Sequence, residues 1–164
     1  MDHHGSQVYG LHLVLRISEV QNIKALADPQ MVAQFLIAVV QRIGMRILVG
    51  PVVGQEEGPV EKAGCSSVII LYESHAAIHT YPCLGEAFID VFSCRTFDIN
   101  LVIETLSDFF GSHRVSEQML FDRGVHWGRE IDKELVAWMK TTANCNWMRP
   151  DSRSARTTPN NHLG

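Results

Sequence analysis

Apolar positions along the chain fall into alternating and helical rhythms that outline a fold. Tyr9, Leu11, Leu13, Leu15 and Ile17 alternate with Gly10, His12, Val14 and Arg16, the pattern of a half-buried strand. Met31, Val32, Phe35, Leu36, Val39, Val40 and Ile43 form one stripe at helical spacing, with Asp28-Pro29 to start the helix and Gly44 to close it. Met45 to Val53 reads as a second strand, and the polar, breaker-rich run from Gly54 to Gly64 as a loop. Val68 to Tyr72 is a continuous apolar run, hence a buried strand that stops at Glu73-Ser74-His75. A short polar link holding His79, Thr80 and Pro82 is expected to lead into the next strand. That strand sets Phe88, Asp90, Phe92 and Cys94 on one face and Ala87, Ile89, Val91 and Ser93 on the other. Asp98 can cap a second helix, with Ile99, Val102, Ile103, Leu106, Phe109 and Phe110 inward and Gly111 at its end. A further strand runs from His113 to Phe121.

The predicted order is β-α-β-β-β-α-β, an α+β two-layer sandwich with helices on one face of an antiparallel sheet. The strands carry few charges on either face, so the uncovered face is expected to meet a second sheet or a second copy of the chain. Residues 1–124 make the expected domain. A helical extension is expected over 125–148, where Ile131, Leu135, Val136, Trp138 and Met139 share a face, and a disordered polar tail over 149–164.

Composition narrows the classes. A chain of 164 residues with 46% hydrophobic content is long and apolar enough for one globular core. A formal charge of −4 and a pI near 6.0 argue against a nucleic-acid or anionic-membrane surface. No apolar run approaches a membrane span, and MDHHGSQ shows neither a basic n-region nor an apolar h-region. Cys65, Cys83, Cys94 and Cys145 have neither CxxC nor zinc-finger spacing, so a reduced, cytoplasmic protein is expected.

Chemistry concentrates between Ser66 and Cys94. An acid (Glu73), a hydroxyl (Ser74), two imidazoles (His75, His79) and a thiol (Cys94) gather where a buried strand turns back. Such a group costs desolvation unless its members are paired, which points to function. Taken singly, Ser74 is a turn residue, His79 a satisfied histidine and Cys94 a small core hydrophobe. A metal held by His75, His79, Cys83 and Cys94 is disfavoured, because their spacing matches no zinc pattern.

The joint spacing is more telling. Residues 66–83 read S-S-V-I-I-L-Y-E-S-H-A-A-I-H-T-Y-P-C, and the following strand ends in Cys94. This resembles the self-processing motif of the bacterial S-adenosylmethionine decarboxylase proenzymes, S-G-x-V-x-x-x-E-S-H-x-x-I-H-T-W-P-E followed by an apolar strand ending in Cys. A looser resemblance extends from Gly10 to about Gly124.

The resemblance implies a pyruvoyl-dependent decarboxylase. Its chain would cut itself between Glu73 and Ser74 by way of an ester, leaving Ser74 as a covalent pyruvoyl group. That ketone would form a Schiff base with an amino-acid substrate and take up the electrons of the breaking Cα–carboxylate bond. By matching position, His79 and Ser66 carry over as processing residues, and Cys94 as the acid that protonates the product. A thiol, with a pKa of about 8.5 in model peptides, stays protonated at neutral pH. The family also implies a cytoplasmic role in polyamine-type metabolism and a homodimer with shared active sites.

Departures cluster in substrate recognition. Tyr81 stands for the stacking Trp, Val60 for the stacking Phe, and Cys83 for the Glu that takes the ribose hydroxyls. Arg95 replaces a Gly after the Cys. Val60 has no π face, and a thiol cannot replace a carboxylate on two hydroxyls. Two substrates are open: S-adenosylmethionine held through other contacts, or, as the altered set favours, a smaller amine such as ornithine or arginine, with Glu86 and Asp90 available to its distal ammonium or guanidinium. The other outcome is an uncleaved homologue serving as a partner or regulatory subunit.

Overall fold

The computed structural model describes residues 8–125 and Lys133. The extension expected over 125–148 and the tail expected over 149–164 therefore fall, apart from those two residues, outside the described residues. Gln7–Gly124 form one compact unit.

The unit opens with β1 (Val8–Ser18), followed by the short α1 (Ile23–Ala27) and the long α2 (Pro29–Arg42). Next come β2 (Ile47–Glu56), β3 (Gly64–Leu71), β4 (Ser74–Tyr81), a 3-10 turn (Pro82–Leu84) and β5 (Glu86–Ser93). α3 (Ile99–Phe110) and β6 (Arg114–Val125) complete it. The strands form one sheet in the order β2-β3-β4-β5-β1-β6. Neighbours from β2 to β1 pair antiparallel. Side-chain contacts of β1 with β6 also run in opposite directions, from Ser18–Ser116 through Arg16–Glu117 to His12–Phe121.

The helices start where side chains can satisfy their free amides. Asp28 Oδ1 accepts from Gln30 N at 2.8 Å, and Asp98 Oδ1 from Asn100 N at 2.9 Å. Their apolar faces cover one face of the sheet. Phe35 packs its ring 5.8 and 5.0 Å from those of Phe109 and Phe110, above buried Leu13, Leu15, Ile69, Ile78, Ile89 and Val91. Among the described residues, no helix is long and apolar enough to cross a membrane.

Two expectations need correction. The run Val68–Tyr72 is buried on one face only, with Ile69 and Leu71 inward and Val68, Ile70 and Tyr72 exposed. The stretch read as a polar link is strand β4, which raises the strand count to six, and α1 was not anticipated. β4 does alternate, with Ala76, Ile78 and Thr80 buried toward the helices and His75, Ala77 and His79 on the other face. Small and polar residues carry that alternation, so its hydrophobic signal is weak. Thr80 is tolerated because its hydroxyl is satisfied: it donates to Leu26 O at 2.7 Å and accepts from Cys65 N at 2.9 Å.

That hydroxyl ties α1 to the β3–β4 pair. Thr80→Val, close to isosteric, should strand two buried backbone groups and lower unfolding free energy by about 1–3 kcal/mol, read by urea denaturation.

Candidate active site

The face of the sheet away from the helices carries three cross-strand rows. Ser66, His79, Phe88 and Arg16 form the first. Val68, Ala77, Asp90 and Val14 form the second, and Ile70, His75, Phe92 and His12 the third. Apolar side chains stand open to solvent on it: Val52 at 59%, Ile70 at 47% and Phe88 at 40% exposure. Its polar residues are largely paired with one another. Asp90 accepts from His12 Nε2 at 2.8 Å and from His75 Nε2 at 3.0 Å.

The sequence-predicted residues fall into two groups at opposite ends of β4. At one end, Ser66 Oγ and His79 Nδ1 share a 2.8 Å hydrogen bond across β3 and β4. At the other, Glu73, Ser74 and Cys94 meet. Leu71 pairs with Ser74 across a two-residue turn, Tyr72-Glu73, and Ser74 pairs with Ser93. Cys94 N donates to the Glu73 carbonyl oxygen at 2.9 Å. Five residue steps along β4 separate His79 from Ser74, about 16 Å at 3.3 Å per residue. One copy of the chain therefore does not bring His79 and Ser66 to Ser74.

Backbone geometry at the second end is unusual. Ser74 has φ 147°, one of two positive φ values at non-glycine residues among those described. Neither Tyr72 nor Glu73 has a positive φ, so this is not one of the primed turns that usually close a two-residue hairpin. The positive torsion falls on Ser74, in a region that costs a residue with a Cβ about 1–3 kcal/mol.

Glu73 is buried beside this torsion. Its carboxylate accepts from Arg46 N at 3.0 Å and Arg46 Nε at 3.1 Å, while Arg95 Nη1 stands 4.0 Å away. The Arg46 main-chain N–H, reinforced by its guanidinium, holds the Glu73 carboxyl below the ordinary 4.5 despite burial. Arg46 was not singled out in the sequence. Within the run Met45–Val53 it is a lone charge beside apolar neighbours, so no sequence signal marks it as a partner of Glu73.

The substrate-side residues sit at the Ser66–His79 end. Val60 and Cys83 line an open hollow of about 230 Å³ with Gln55, Glu56 and Gly64. Tyr81 packs edge-on to Phe88, ring centroids 5.8 Å apart. Glu86 and Asp90 are not free to receive a cation: Glu86 accepts from Arg16 Nη2 at 2.8 Å, and Asp90 is taken by the two histidines.

Comparison with known proteins bears on the family and the fold. A family model described as S-adenosylmethionine decarboxylase matches residues 11–124. An S-adenosylmethionine decarboxylase proenzyme of Pseudomonas paraeruginosa is 44% identical over 52 residues, 31% of this chain and 32% of that protein. One from a Geobacillus species is 37% identical over 62 residues, 38% of this chain and 49% of that protein. The chain thus matches about a third to a half of the length of these curated relatives. The crystal structure of adenosylmethionine decarboxylase from Aquifex aeolicus superposes with a TM-score of 0.61 at 20% identity, covering 73% of this chain and 93% of that one. That likeness establishes the two-layer fold.

The Glu73 contacts have a pH signature. Its folded pKa lies below its unfolded value, so the stabilisation is complete above pH 4.5 and is lost as pH falls through the lowered pKa. In the Ser74→Ala chain, the urea midpoint should fall steeply below pH 4.5, and adding Glu73→Gln should flatten that fall.

Proposed function

The chain belongs to the S-adenosylmethionine decarboxylase family, and on that premise we propose that it is a proenzyme that cleaves itself between Glu73 and Ser74 and then decarboxylates an amino-acid substrate. The observation that carries this reading is the junction itself. The Glu73 carbonyl is held by Cys94 N–H, and the hydroxyl-bearing residue beside it sits at a costly backbone torsion.

Each residue then has a chemical task. The Ser74 hydroxyl adds to the Glu73 carbonyl carbon, and the Cys94 main-chain N–H faces the oxygen on which charge develops. His79 is suited to remove the α-proton of the resulting ester, with Ser66 fixing its ring through Nδ1. A pyruvoyl group at position 74 would act as the electron sink for loss of the substrate carboxylate. The Cys94 thiol, one residue beyond the Ser93 that pairs with Ser74, is suited to return a proton to the product carbon.

Self-cleavage by this set requires two copies. Ser66 and His79 stand at one end of β4, Glu73, Ser74 and Cys94 at the other, with the Ala77–Asp90 row between them. A two-fold axis near that row would lay one copy's Ser66–His79 pair over its partner's Ser74. It would also cover the exposed Val52, Ile70 and Phe88. The homodimer and the shared site are thus parts of one proposal.

For the substrate, the engaged state of Glu86 and Asp90 weighs against ornithine or arginine, since a distal cation would have to displace Arg16 or the histidines. The hollow holding Val60 and Cys83 also offers the Glu56 carboxylate, a group able to take the ribose hydroxyls that Cys83 cannot. We therefore favour S-adenosylmethionine.

Intact-mass analysis of purified protein should give a fragment ending at Glu73 and a second blocked by a pyruvoyl at position 74. Ser74→Ala should stay whole. A Ser74→Ala chain mixed with a His79→Ala chain, each inert alone, should restore cleavage of the His79→Ala chain; no cleavage in the mixture removes the shared site. Cys94→Ala should still be cut, yet release CO2 roughly 10²-fold more slowly. Wild type offered S-adenosylmethionine, ornithine and arginine should release CO2 from the first, and release only from the others overturns that assignment.

A further inference from the structure

The chemistry just described leaves one arrangement unexplained. Glu73, on the acyl side of the junction, is 4% exposed and anchored by an arginine whose own side chain is 70% exposed. A surface arginine ordinarily contributes little through such a pair. Here its contacts converge. Arg46 N and Nε reach the two oxygens of the Glu73 carboxylate at 3.0 and 3.1 Å. The Arg46 carbonyl accepts from Tyr72 N at 3.0 Å, and its guanidinium lies 4.6 Å over the Tyr72 ring. One residue thus grips both members of the turn that precedes the junction, and the Cys94 N–H holds the junction carbonyl from the other side at 2.9 Å.

We propose that Arg46 is a positioning residue for self-cleavage, acting through Glu73 to keep the junction carbonyl seated on Cys94 N–H while Ser74 stays at its positive φ. The proposal rests on the reading of Glu73–Ser74 as the cleaved bond. In that step the Ser74 oxygen bonds to the Glu73 carbonyl carbon and the carbonyl electron pair moves to the oxygen facing Cys94. As that pair returns, the C–N bond breaks, and the proton lost by the hydroxyl ends on the departing nitrogen. No atom of Arg46 takes part. Its effect is to prevent the turn from relaxing, which would swing the carbonyl off its donor and let Ser74 adopt an ordinary torsion. Arg95, 4.0 Å from the same carboxylate, is too distant to make the hydrogen bond in its place.

Two measurements test this separately from the function. The first follows cleavage over time in wild type, Arg46→Ala and Arg46→Lys. The alanine variant should be cut at least tenfold more slowly, and lysine should recover most of the rate. The second compares hydrogen exchange in Ser74→Ala with and without Arg46→Ala, chains that cannot cleave. The Cys94 amide should exchange at least tenfold faster without Arg46, while amides of the β1–β5 ladder stay unchanged. A merely structural role would loosen both. Cleavage of Arg46→Ala at the wild-type rate, or an unchanged Cys94 amide, overturns the proposal. If wild type itself remains whole, the functional reading fails, and the Cys94 amide still decides whether Arg46 seats the carbonyl.

Discussion

The register of the β3–β4 hairpin is the constraint on which the rest of the face depends. Leu71 opposite Ser74, with two residues between them, leaves Ser66 no partner but His79 at the other end. A slip of one residue would turn His75 and His79 toward the helices and bring Ala76 and Ile78 into water. The buried alternation of Cys65, Ser67, Ile69 and Leu71 against Ala76, Ile78 and Thr80 prevents that slip. Packing on the helix side therefore dictates which polar groups meet on the open side.

Much of this was legible in the sequence. The α2 and α3 stripes, their aspartate caps and the two faces of β5 follow from strong periodicity, and the structure keeps them. β4 escaped because its inward positions are Ala76, Ile78 and Thr80, of which only Ile78 is strongly apolar. Thr80 looks like a loop residue until its hydroxyl is seen bonded to Leu26 and Cys65. The five-residue α1 is too short to show a period.

The site was legible in its residue types and not in its geometry. Ser66, Glu73, Ser74, His79 and Cys94 stand out by spacing, yet spacing along a chain says nothing about separation along a strand. The roughly 16 Å between His79 and Ser74 appears only once β4 is known to be straight. Partners were equally hidden. Glu86 and Asp90 look available in the sequence, whereas Arg16, His12 and His75 come from residues up to 78 positions away. Arg46 reaches Glu73 across 27 positions by the same kind of long-range closure.

The torsion at Ser74 carries a thermodynamic consequence. φ is defined only while a residue's nitrogen is bonded to the carbonyl before it. Severing Glu73 from position 74 would abolish that angle, and with it a penalty of about 1–3 kcal/mol. Resealing the chain would have to restore the penalty, so maturation would run downhill like a ratchet.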